Sequence, residues 1–168
     1  MIIDFAIWFF KYYLPVMVAN ASPLLIKGSK PIDFSKRFID GKPILGPHKT
    51  WEGLIIALYM GLSTSLAISI VLQDPLITAI GFGGSVFAVL GDLVGSFIKR
   101  RLGYKSGEPV PVLDQLDFAI TSSIFYMLVD VSFIEKAVYI PIALVIIAIL
   151  HVSTNIVAYM IGLKKTKF

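Results

Sequence analysis

The chain has 168 residues, 57% of them apolar and only 15% charged, with no cysteine and a mean hydropathy of +0.83. That balance excludes a soluble globular domain, disulfides, thiolate nucleophiles and cysteine-ligated zinc. The net charge of +4 in so apolar a chain reads as membrane orientation rather than nucleic-acid binding. Residues 1–168 are expected to form a single transmembrane domain. Its predicted class is an all-α integral membrane protein with five transmembrane helices and two long cytoplasmic loops, at about 22–52 and 97–117.

The first apolar run, Ile2 to about Ala21, carries Asp4, Lys11 and Pro15 and has no small-residue cleavage pattern behind a basic head. It is expected to be a retained helix, with Pro15 a candidate kink. Lys11 has two readings, a snorkelling side chain or part of a polar interior. The segment Ser22 to Glu52 holds six Lys/Arg and a run of glycines and prolines that forbids a long helix. A loop of that length in so small a protein is expected to bind something.

Helix two is expected from near Gly53 to Leu72, followed by a tight turn at Gln73-Asp74-Pro75. Helix three begins near Leu76 and is rich in small residues (Gly81, Gly83, Gly84, Ser85, Ala88, Gly91, Gly95) that admit close neighbours. A basic loop follows, then a short helix four from about Asp117 to Val131. A connection at 131–136 leads to helix five, from about Ala137 to Leu163, and to a tail with Lys164, Lys165 and Lys167. Five spans put the two long loops and the tail on one side, together with thirteen of the fifteen Lys/Arg. By the positive-inside rule the N-terminus is expected outside, with both loops and the C-terminus cytoplasmic. No internal repeat points to an inverted-repeat transporter.

Chemistry concentrates between Gly91 and Asp117. This stretch carries Asp92, Asp114 and Asp117 with Lys99, Arg100, Arg101 and Lys105. An ionised Asp92 near the end of an apolar helix needs a partner, either a cation it helps to bind or a salt bridge to Lys99 or Arg100. Asp114 and Asp117 are three apart, on one face of a helical turn, where they are ligands or capping acids. Carboxylates beside cations at a membrane surface favour a magnesium–phosphate site and nucleotidyl or phosphoryl transfer. The first loop ends GPHKTWEG. Here His48 and Lys49 are candidate phosphate contacts, Thr50 a candidate cap of helix two, Trp51 an interfacial anchor, and Glu52 a metal ligand or a solvated acid. His151 is expected to hydrogen-bond within the bundle, near Asn155. No nucleotide motif of soluble type is present.

These residues resemble a known family. GPHKTWEG (Gly46 to Gly53) is similar to the PKKTWEG segment of the membrane CTP-dependent phosphatidate cytidylyltransferases. GDLVGSFIKRRLGYK (Gly91 to Lys105) resembles their GDLxxSxxKRxxGxK, and LDQLD places Asp114 and Asp117 on the acids of LDRxD. Departures are Ser106 in place of an acid, the shorter EPVPV (Glu108 to Val112) in place of PGHGG, Gln115 in place of arginine, and fewer N-terminal helices. A short, five-span chain with these changes is similar to the archaeal branch of the family. That resemblance implies CTP and unsaturated archaetidic acid as substrates, a CDP-activated lipid and pyrophosphate as products, and Mg2+ as cofactor. It implies Asp92 and Asp114 as magnesium ligands, Asp117 as their support, and Lys99 in catalysis. It also implies that Ser96, Lys99, Arg100 and Lys105, with the extra cation Arg101, face the CTP phosphates, and that His48, Lys49, Thr50 and Glu52 form the opposing wall. Two rivals were weighed: a CDP-alcohol phosphotransferase, whose DGxxAR pattern is missing after Asp40-Gly41, and a non-enzymatic transporter or lipid-binding subunit.

Overall fold

The structure is a computed structural model and describes residues 1–162. The lysines at 164, 165 and 167 lie outside the described residues. Helix α1 spans Ile2–Ala21, α2 Trp51–Leu72, α3 Leu76–Arg101, α4 Leu113–Val129, α5 Val131–Glu135 and α6 Ile140–Met160. Single 3-10 turns occupy Ser22–Leu25 and Ala137–Tyr139. Four of the helical stretches are long and apolar enough to cross a membrane by length and composition. With the 17-residue α4, they make a five-helix, multi-pass membrane protein.

The central element is α3, which packs against α1, α2 and α4. Its glycines are the reason the neighbours come so close. Ser65 of α2 fills the space beside Gly81, and Ser85 of α3 fills the space beside Gly61. Each hydroxyl donates back to its own helix, Ser65 to the Gly61 carbonyl at 2.7 Å and Ser85 to the Gly81 carbonyl at 2.9 Å, so no polar group faces lipid unpaired. Pro15 is buried against Gly81 inside a continuous α1.

The core is aromatic. Trp8 stacks on Phe133 at 5.1 Å, and Tyr12 meets Phe133 at 4.8 Å and Tyr126 at 5.0 Å. The hydroxyls are satisfied across helices: Tyr126 donates to the Tyr12 carbonyl at 2.8 Å, and Tyr13 and Ser123 share a bond of 2.7 Å.

At 17 residues, α4 is only about 25 Å long, less than a hydrocarbon core. It stops at Asp130, which caps the short α5 through the Ser132 amide and accepts from Tyr12 at 2.7 Å. Lys11 lies 3.5 Å from the same carboxylate and over the Tyr12 ring, so its interior reading is the one realised. Helix α5 and the 3-10 turn then complete the crossing, and Lys136 and Tyr139 both bond Asp4 near the start of α1. Expected boundaries shift accordingly. Helix α4 begins at Leu113 rather than Asp117, the 131–136 connection is largely helical, and the last helix proper starts at Ile140.

The first loop is not structureless. Isolated bridges join Pro31 to Thr50 and Arg37 to Pro43, and the Ile32 and Trp51 amides bond the Lys49 and Lys30 carbonyls at 2.8 and 2.9 Å. Its hub is Asp33, which is 7% exposed and accepts the backbone N–H groups of Ser35, Leu45 and Gly46 at 3.0, 2.9 and 3.0 Å. Burial alone would push this carboxyl up, but those three donors outweigh it and hold the group below the usual carboxylate range.

Candidate active site at the end of α3 and α4

At 26 residues α3 is about 39 Å long, so its last turns stand clear of the hydrocarbon. There the two loops converge on its end. Lys42 donates to the Arg101 carbonyl at 2.9 Å. The Arg101 guanidinium donates to the Pro43 carbonyl at 2.5 Å, lies 3.2 Å from Asp40, and sits over the rings of Phe38 and Phe97. Arg101 therefore latches the loops together.

Inside this junction two acid–lysine pairs sit side by side. Lys49, from the first loop, reaches both carboxylate oxygens of Asp92 on α3, at 2.6 and 2.5 Å. Lys99 donates to Asp114 on α4 at 2.7 Å, and the other Asp114 oxygen accepts the Val110 amide at 2.9 Å. That second bond holds the chain into the first turn of α4, where an acid also suits the helix dipole. Asp117 is one turn further on. One of its oxygens takes the Phe118 amide at 2.7 Å, and the other lies against Gly95 of α3, where a Cβ would collide with it. It stands within electrostatic reach of Asp92, Asp114 and Lys49. Neither cation proposed for Asp92 from its own helix is its partner; the partner comes from 43 residues away.

The other predicted residues are distributed around this centre. Thr50 caps α2 through the Gly53 amide at 3.2 Å. Glu52 accepts from the Ser29 hydroxyl at 2.9 Å and from the amides of Ser29 and Lys30 at 3.2 and 3.3 Å, so it pins the entry of the first loop to α2. Ser96 is buried, while His48 is exposed beside Gly107 and Lys105 is exposed on the second loop. Arg100 is 4% exposed, with its terminal nitrogen beside Gly46. His151 lies with its ring 6.2 Å from that of Phe118. Asp33 escaped the sequence reading, although an acid inside a glycine- and proline-rich loop is the residue type that collects such amides.

Among the described residues no three carboxylates or histidines form a ready-made metal cage. The donor set nonetheless suits magnesium, which takes one or two protein carboxylates and completes its shell from phosphate and water. Asp92 and Asp114 are such a pair, each at present neutralised by a lysine.

A helical bundle of this kind, with charged groups gathered at one end, is a multi-pass membrane enzyme. A solved structure of an intramembrane enzyme for archaeal membrane lipid biosynthesis matches it with a TM-score of 0.78 at 31% identity, over 87% of this chain and 91% of that one. The family model described as CarS-like, CDP-archaeol synthase, matches residues 1–168. A CDP-archaeol synthase of Staphylothermus marinus is 50% identical over 98% of this chain and 94% of its own length, and one of Sulfolobus acidocaldarius is 41% identical over 91% and 92%. The chain belongs to the CarS-like CDP-archaeol synthase family, in archaeal lipid biosynthesis.

Proposed function

We propose that this protein transfers CMP from CTP to the phosphate of unsaturated archaetidic acid (2,3-bis-O-geranylgeranyl-sn-glycerol 1-phosphate), giving CDP-archaeol and pyrophosphate. The observation that carries this reading is the adjacent Lys49–Asp92 and Lys99–Asp114 pairs, where two helices and both loops meet. An oxygen of the lipid phosphate attacks the α-phosphorus of CTP. The bond from that phosphorus to the bridging oxygen breaks, and its electron pair leaves with pyrophosphate. The attacking phosphate is already anionic, so no general base is needed. Asp92 and Asp114 would hold Mg2+, with Asp117 held against Gly95 as their support. Bound magnesium supplies positive charge to the phosphate oxygens.

Lys49 and Lys99 neutralise carboxylates in the nucleotide-free protein and would turn to the polyphosphate as it arrives. Charge is then exchanged between partners already in place, which limits reorganisation in the transition state. His48 and Lys105 form the exposed rim. Thr50, Glu52, Ser96 and Arg101 hold the elements that carry these groups. The two loops that meet here bring six and four Lys/Arg to one side, so we assign this end to the cytoplasm and the N-terminus to the outside.

The test is turnover of purified protein with radiolabelled CTP and magnesium, comparing the geranylgeranyl ether phosphate with a diacyl phosphatidate. Lipid-soluble label from the ether substrate is expected. Label from the diacyl lipid alone would keep the chemistry and reject the ether substrate. Label from neither, in folded protein, would reject the transfer.

A further inference from the structure

Arg100 is the anomaly of the site. It is 4% exposed, yet among the described residues its guanidinium makes no hydrogen bond or ion pair, and its Nε is fully enclosed without a partner. A buried guanidinium left this way is expensive, and five aligned donors are matched by an anion with several oxygens. Two other features share the spot. Gly46 has φ +104°, and a Cβ there would lie 3.0 Å from the Ser106 hydroxyl and 3.7 Å from the Arg100 terminal nitrogen. The Ser106 hydroxyl also has no hydrogen-bond partner among the described residues.

The turn from Gly46 to Lys49, closed by the Lys49 amide on the Gly46 carbonyl at 3.2 Å, links this spot to the reacting centre. Its first residue touches Arg100 and its last grips Asp92. A polyphosphate laid along the turn therefore meets Lys49 at one end and Arg100 at the other.

We propose that Arg100 and Ser106, with the Gly46 backbone between them, seat the terminal phosphates of the nucleotide and then the pyrophosphate that departs. This rests on the transfer reading for its biological role, but the anion seat itself does not. The guanidinium would donate to the leaving oxygens as their charge grows, and the Ser106 hydroxyl would donate alongside. A hydroxyl rather than a carboxylate at 106 matters, because an acid there would neutralise Arg100 and close the seat.

The experiment uses inorganic pyrophosphate as the probe, on full-length wild type, Ser106→Asp and Ser106→Asn. Two readouts are taken: thermal protection by pyrophosphate alone, and pyrophosphate inhibition of CTP turnover. Wild type should be protected and inhibited. Ser106→Asp should weaken both by about tenfold, the scale of one charge-assisted hydrogen bond. Ser106→Asn, similar in size but neutral, should stay near wild type, and the KM for the lipid phosphate should move by less than about twofold in both variants. Absence of protection in wild type, equal affinity in Ser106→Asp, or equal weakening in both variants would each overturn the proposal. Protection that responds to charge at 106, in protein that transfers no CMP, would leave the anion seat standing and reject the transfer reading instead.

Discussion

Asp33→Asn tests whether the first loop is an ordered part of the site. The carboxylate accepts three backbone donors, Ser35 on one oxygen and Leu45 and Gly46 on the other. An amide keeps only one acceptor oxygen. Whichever way it turns, at least one bond is lost and an N–H2 group faces an N–H. Hydrogen bonds to charged groups contribute about 1.5–3 kcal/mol each, so local opening of the loop should become roughly 10- to 100-fold more frequent. Lys36, Arg37 and Lys42 lie inside the loop, so native-state tryptic cleavage reads this opening directly. Cleavage of Asp33→Asn at the wild-type rate would refute the reasoning. Protonation should mimic the substitution. Because the folded carboxyl is held below its ordinary value, its contribution is complete above about pH 4 and is lost as pH falls through the lowered folded value. Hydrogen exchange at the Leu45 and Gly46 amides should therefore quicken on acidification, and Asp33→Asn should remove that dependence.

Three further outcomes are expected. Gly95→Ala should push the Asp117 carboxylate off α3 and lower turnover on the order of 10- to 100-fold while the melting temperature changes little, since the displaced atoms are the free end of a side chain. Lys99→Ala should raise the KM for CTP by about tenfold in steady-state titrations, and an unchanged CTP dependence would place that lysine outside the nucleotide site. Chelation with EDTA should abolish turnover and thermal protection by CTP, with both restored by magnesium, whereas full activity after chelation would remove the metal from the account.

Much of the bundle was legible because apolar runs of about 20 residues have few alternatives in a chain this apolar. The start of α4 was not. Asp114 and Gln115 look like loop residues, and only the Val110 amide on Asp114 shows that the helix has already begun. The identity of the acids was readable from spacing, but their partners were not. Lys49 reaches Asp92 because a folded loop carries it there, and that loop is organised by Asp33 through donors up to thirteen residues away, with no periodicity to betray it. Glu52 looked like part of the wall around the nucleotide, and only the three-dimensional path of the loop shows it occupied by Ser29 and Lys30. Arg101 likewise looked like one cation among several, until the loop junction placed its guanidinium over two aromatic rings.

The most direct test of the account is CTP turnover by Asp92→Asn beside wild type, in protein shown by melting and size-exclusion profiles to be equally folded. The substitution keeps the shape of the side chain while removing the charge that Lys49 now balances and that magnesium would use. We predict a fall in turnover on the order of 100-fold or more with an intact bundle. Near-normal turnover in folded Asp92→Asn would contradict the placement of the reacting centre at the end of α3.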